Sequence, residues 1–150
     1  VVTVYYRRYQ RPYVTNLGSP YQNFINLTGN PSVKGMLVAA STVAERAFRV
    51  PTNPFDVIGV VVEDGVANGN QTKVVTAGLA EVLIAPDTTC GFAGWIRALS
   101  DNYGYAVNTT DPAGVSAIAA ADHFKEIGHS FSKIASTDTN RLALVMVHPL

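Results

Sequence analysis

Beyond Pro31 the chain never sustains an apolar run longer than a strand before glycine, proline, asparagine or aspartate interrupts it. Strand-length apolar runs bounded by turn residues build sheets, and several in series build a sandwich or a barrel. The runs cover residues 33–40, 45–50, 56–63, 73–77, 79–85, 91–99, 103–108 and 141–147. Pro51-Thr52-Asn53-Pro54 closes the second, because proline removes a ladder donor and restricts its predecessor. Val57, Ile58, Val60, Val61 and Val62 make the third nearly continuous, as suits a strand buried on both faces. Asp64-Gly65 and Asn68-Gly69-Asn70 supply the turns after it. Glu81 stands between apolar neighbours and is expected to point outward.

An alanine-rich segment, residues 115–124, has helical propensity. It is short and bounded by Gly114 and Gly128, so residues 115–119 are read as a strand. Most of 130–140 reads as loop. The expected core comprises Val60, Val62, Val82, Ile84, Trp95, Leu144 and Val147. Val57-Ile58-Gly59 and Glu126-Ile127-Gly128 echo each other, each placing Ile-Gly before a polar loop and then a long apolar strand. In both, the glycine would let the chain bend or let another backbone come close. Two similar hairpin units would produce the echo, and so would chance.

The first residues have a different texture. Val1 to Thr15 hold Tyr5, Tyr6, Tyr9 and Tyr13 beside Arg7, Arg8 and Arg11, with no acid. Asn, Gly, Pro and Thr then dominate up to Pro31. Residues 1–31 are therefore read as an extended N-terminal arm and linker, and residues 32–150 as one β-rich domain. Tyrosine and arginine are enriched at binding hot spots, so Tyr5, Tyr6, Arg7, Arg8, Tyr9, Arg11 and Tyr13 are the expected partner-binding residues. The competing reading is an ordinary first strand packed on the domain's own sheet.

Length and composition narrow the function. A chain of 150 residues can bury a core without staples. Charged residues make up 15%, below the globular norm of about 25%, which favours a surface covered by partners. The 11 basic and 11 acidic residues cancel, whereas nucleic-acid binders carry a basic excess, so no nucleic acid is expected. No apolar run approaches the roughly 18 residues that cross a bilayer, and no membrane partner or signal peptide is expected. The single Cys90 cannot form an internal disulfide.

Catalytic patterns are missing. Gly-x-Ser-x-Gly and both glycine-rich phosphate signatures do not occur. Glu63-Asp64 is an adjacent pair at a turn, where carboxylates are solvated. His123 and His129 are six apart, too far for the usual zinc spacing of about three to five and roughly 20 Å apart along a strand. His123, His129, His148 and Cys90 are expected to be dispensable for assembly. The reading is of no enzyme, no cofactor and no metal.

One resemblance stands beside this. Gly35-Met36-Leu37-Val38, then Ile58-Gly59-Val60-Val61-Val62-Glu63, Gly78-Leu79-Ala80-Glu81-Val82 and Gly91-Phe92-Ala93-Gly94-Trp95 follow in order. Tyr105 to Thr110, Gly114, Glu126-Ile127-Gly128 and the closing Leu142 to Val147 complete the series. Residues 33–148 thereby resemble the small head decoration, or capsid cement, proteins of tailed bacteriophages. The aromatic, basic arm is outside that pattern. The resemblance implies an all-β barrel or sandwich that oligomerises, often as a trimer, on the outer capsid surface of the virion, with the major capsid protein as partner. The rivals are a head fibre base, a neck or tail protein, or a small β-barrel ligand-binding domain or hydrolase.

Overall fold

The computed structural model describes residues 21–99, 104–109 and 126–148. The described elements are all strands: β1 (Tyr21–Asn26), β2 (Leu37–Ala40), β3 (Ala47–Arg49), β4 (Val57–Val61), β5 (Gln71–Val75), β6 (Gly78–Leu83), β7 (Trp95–Ala98), β8 (Ala106–Thr109), β9 (Glu126–Ser130) and β10 (Leu142–Val147). The all-β expectation is met. The run at 103–108 supplies β8, shifted toward the C-terminus, and the strand read at 115–119 lies outside the described residues.

β1 to β5 close into a barrel in the order β1-β3-β2-β4-β5, with β1 pairing antiparallel to β5 to complete it. β6 to β10 form a second sheet in the order β6-β10-β9-β7-β8. Its two edges meet at an isolated parallel bridge between Ile84 and Ala106. Traced through that bridge, the second sheet has the cyclic order β6-β8-β7-β9-β10, which repeats the barrel's order element for element. The senses repeat as well: β1 runs parallel to β3 as Ile84 does to Ala106, and every other neighbouring pair is antiparallel.

The Ile-Gly echo falls at the same place in both halves. Val38 pairs with Gly59 and Ala39 with Val57, so Ile58 is an extra residue on β4. Ile96 pairs with Gly128 and Arg97 with Glu126, so Ile127 is an extra residue on β9. Such a bulge bends its strand and re-aims the neighbouring side chains. The glycine beside each bulge lies against its other neighbour. A Cβ on Gly59 would stand 2.6 Å from the Val75 carbonyl oxygen, and one on Gly128 would stand 2.1 Å from that of Met146. The echo therefore marks two similar units rather than coincidence.

Strand alternation accounts for the packing. In β2, β4 and β5 one set of side chains, Val38, Val61 and Val74, joins Phe48 inside the barrel. Their neighbours Leu37, Val60 and Val75 point out of it and join the core of the second unit, with Val82, Ile84, Ile96, Ile127 and Val145. The valine-rich run of β4 is thus buried on two faces, as its composition suggested. Gly35 ties the units by backbone: its amide donates to Val61 O and its carbonyl accepts from Leu83 N, both at 2.8 Å. Lys34 pairs with the outward Glu81 across the same junction.

Of the expected core, Val60, Val82, Ile84 and Val147 are buried. Val62, Trp95 and Leu144 are only half-buried. Trp95 and Leu144 lie on the outer face of the second sheet, whose opposite face carries Ile96 and Val145 into the core.

The arm boundary at residue 31 is corrected in part. Residues 21–26 are β1, a stave of the barrel, and residues 1–20 lie outside the described residues. β1 ends at Asn26, whose side chain is wholly buried. Its Nδ2 donates to Asn30 O (2.8 Å) and Val66 O (3.0 Å), and its Oδ1 accepts from Thr28 N (3.0 Å) and Thr28 Oγ1 (2.7 Å). All four hydrogen-bonding positions of the amide are filled, which pins β1 to the loop between β4 and β5.

Gly128→Ala and Gly59→Ala should each destabilise the protein by about 1–3 kcal/mol or more through overpacking against backbone, with Gly128 the worse. Gly91→Ala, where a Cβ meets nothing within 4 Å, should change little. Urea midpoints of the three variants check this, and equal midpoints would show that the bulges are open.

Candidate functional site

The expected partner-binding residues, Tyr5, Tyr6, Arg7, Arg8, Tyr9, Arg11 and Tyr13, all lie outside the described residues, as does His123. The other two histidines do not stay apart. His129 Nε2 lies 3.1 Å and His148 Nε2 lies 3.2 Å from the same oxygen, Oε1 of Glu126. One donor atom from each of the three residues falls within 4.8 Å of the others. The sequence reading rested on the absence of any convergence, and that premise fails here.

The local fold explains how they meet. His129 pairs with Met146 across β9 and β10, so His148, two residues further along, lies diagonally opposite on the same face. Glu126 is three residues from His129, which in a regular strand would place it on the opposite face. The bulge at Ile127 reverses that parity: Ile127 turns into the core and Glu126 turns out beside His129. Trp95, directly opposite His129 on β7, packs against the imidazole in a T-shaped pair with centroids 5.5 Å apart. The rings of His129 and His148 lie 5.7 Å apart. Glu126 is buried, with 4% of its side chain exposed, while His129 and His148 remain 43% and 39% exposed. A buried carboxylate thus faces two imidazoles that solvent can reach.

Cys90 is buried. Its thiol lies 3.2 Å from Ser130 Oγ, and its backbone pairs in both directions with Ile134 at 2.8 and 2.9 Å. Among the described residues the sulfur meets Ser130 Oγ and the carbonyls of Gly91 and Ser132, none of them a base, in keeping with a packed thiol. Ile134 also shows that the 130–140 stretch read as loop carries a buried anchor. Glu63 pairs with Lys73 at 3.5 Å and accepts from Thr72 Oγ1 at 3.1 Å, and Asp64 Oδ1 accepts from Lys34 N at 2.6 Å. Both carboxylates of that turn hold the loop together.

The link between β3 and β4 has one perturbed acid. Asp56 Oδ2 accepts from Arg49 Nη2 at 3.0 Å and from Thr52 Oγ1 at 3.1 Å. The Arg49 hydrogen bond, partly opposed by desolvation, lowers the Asp56 pKa below its ordinary value.

The class these observations define is an all-β fold of two packed, topologically matching five-stranded units. No protein-family model matches the chain, and no curated protein matches it. A solved structure does share the fold: the head fibre gp8.5 N base of bacteriophage phi29, with a TM-score of 0.55 over 85% of this chain and 92% of that chain. The two are 14% identical, so the likeness is one of fold. Among the described residues no helix is long and apolar enough to cross a membrane.

Asp56 generates a pH prediction. Its depressed folded pKa means that its contribution is present above the unfolded value and is lost as pH falls through the folded one. Denaturant unfolding from neutral pH down through about pH 4 and below should show a small acid-linked loss of stability. Asp56→Asn should remove that loss, and an unchanged pH profile would discount the Arg49 pairing.

Proposed function

We propose that this chain is a structural protein of a phage virion, of the head-fibre-base type, seated on the outer surface of the capsid. The observation that carries the proposal is the shared fold with the phi29 head fibre N base over most of both chains. The capsid-cement resemblance of residues 33–148 points to the same particle surface, and the low charge of the chain suits a protein that is covered on assembly. In this reading the partners are the major capsid protein and further copies of the chain. Attachment is multivalent: several modest contacts held together raise the effective affinity without a single strong site. The reading involves no catalysis.

Gold-labelled antibody against the purified chain should decorate the heads of the virions that carry it. Label on tails alone, or on no particle, overturns the proposal. Stripping the protein from particles then separates two versions of the same role. A fibre base should leave the thermal stability of the capsid unchanged, whereas a cement protein should lower it when removed.

The Tyr- and Arg-rich segment, residues 1–15, is proposed as the part that lies along a neighbouring subunit. Its backbone would add hydrogen bonds while alternate side chains fill pockets. Deleting residues 1–13 should leave a folded domain, because the described barrel begins at Tyr21, and should weaken capsid binding. Deleting residues 1–26 should abolish folding by removing the strand that closes the barrel. A 1–13 deletion that fails to fold as a monomer would mark those residues as part of the core.

A further inference from the structure

The two units share a topology but not a surface, and the difference falls on one face. Aligning the bulges sets Leu37 against Trp95, Val57 against Glu126, and Val60 against His129. On the next strand Val75 corresponds to Met146, and Ala77, two residues on, corresponds to His148. In the first unit these positions are aliphatic, and Leu37, Val57, Val60 and Val75 pack against the second unit. The fold therefore places no demand for a carboxylate or an imidazole at them. In the second unit the same positions carry Glu126, His129 and His148 with their donor atoms converged.

We propose that Glu126, His129 and His148 bind a divalent transition-metal cation of the zinc class. Zinc takes imidazole nitrogen at about 2.0–2.1 Å and carboxylate oxygen at about 2.0–2.2 Å. Tetrahedral donors around such an ion stand roughly 3.3–3.4 Å apart. The two histidine nitrogens stand 3.1 and 3.2 Å from Glu126 Oε1, and all three donors lie within 4.8 Å of one another, so a cation is enclosed when the half-exposed rings rotate toward each other. A set of two imidazoles and one carboxylate suits zinc, nickel or copper; calcium and magnesium take oxygen ligands throughout. Three protein ligands leave one tetrahedral position, which water fills from the exposed side.

The ligands are pre-positioned by different means. The bulge at Ile127 turns Glu126 outward, and burial confines its carboxylate. The T-shaped contact with the Trp95 indole limits the ring of His129. His148 is fixed through its backbone, whose amide donates to Ile127 O at 3.1 Å. Holding donors in place before the ion arrives reduces the ordering cost of binding.

The test uses the full chain, free of any histidine tag and stripped with chelator. Calorimetric titration with zinc should saturate at one ion per chain, and calcium and magnesium should give no saturable uptake. His129→Ala and His148→Ala should each weaken zinc binding by at least about tenfold, with unchanged circular dichroism in metal-free buffer. Trp95 is the sole tryptophan, so copper or nickel at this site should quench the intrinsic fluorescence in the parent chain and not in the double histidine variant. Glu126→Gln should also weaken binding; should it unfold the protein, the two exposed histidine variants carry the test. No saturable zinc uptake by the parent chain, or uptake that the double variant retains, overturns the proposal.

Discussion

The structure depends on a wall that is buried twice. β2, β4 and β5 enclose the barrel with Val38, Val61 and Val74, and present Leu37, Val60 and Val75 to the second unit. A strand in an exposed barrel would alternate apolar with polar, whereas these strands cannot spare either face. Each buried aliphatic side chain of this size contributes about 1.5–3 kcal/mol, a large share of the marginal stability of a domain. The same wall fixes the register, because a one-residue slip would exchange the barrel's interior with the junction between units.

Two units with one topology solve different problems with corresponding residues. The barrel closes fully, leaving no free edge among its five strands. The second sheet closes only at the Ile84–Ala106 bridge. The face that the first unit uses for docking carries Glu126, His129 and His148 in the second unit, beside Trp95 and Leu144. Repetition of the bulge in both units lets the second carry Glu126 on that face without disturbing Ile127 in its core. A local irregularity thus separates the demands of packing from those of the surface.

What was legible in the sequence followed from strand periodicity. The run of valines on β4, the closing strand β10 and the Ile-Gly echo all mapped onto elements, because apolar alternation and turn residues act locally. β1 was hidden because Tyr21 to Asn26 has few aliphatic residues and owes its place to a buried amide whose partners include Val66, forty positions away. The histidine cluster was hidden for a related reason. It depends on the register between β9 and β10 and on a parity change at a bulge, neither of which leaves a spacing motif. Trp95 and Leu144 were expected in the core, and their strands turn that face outward.

The buried Cys90 has a consequence for how motion in this molecule can be observed. Its backbone pairs with Ile134, and Arg141 binds both flanking loops through Ala85 O, Thr88 O and Ala135 O at 2.5 to 2.7 Å. A thiol reagent reaches that sulfur only while these loops part. With one cysteine in the chain, the rate of its modification measures how often this corner opens, separately from unfolding of the whole. This buried cysteine is therefore a built-in reporter of local breathing in the second unit.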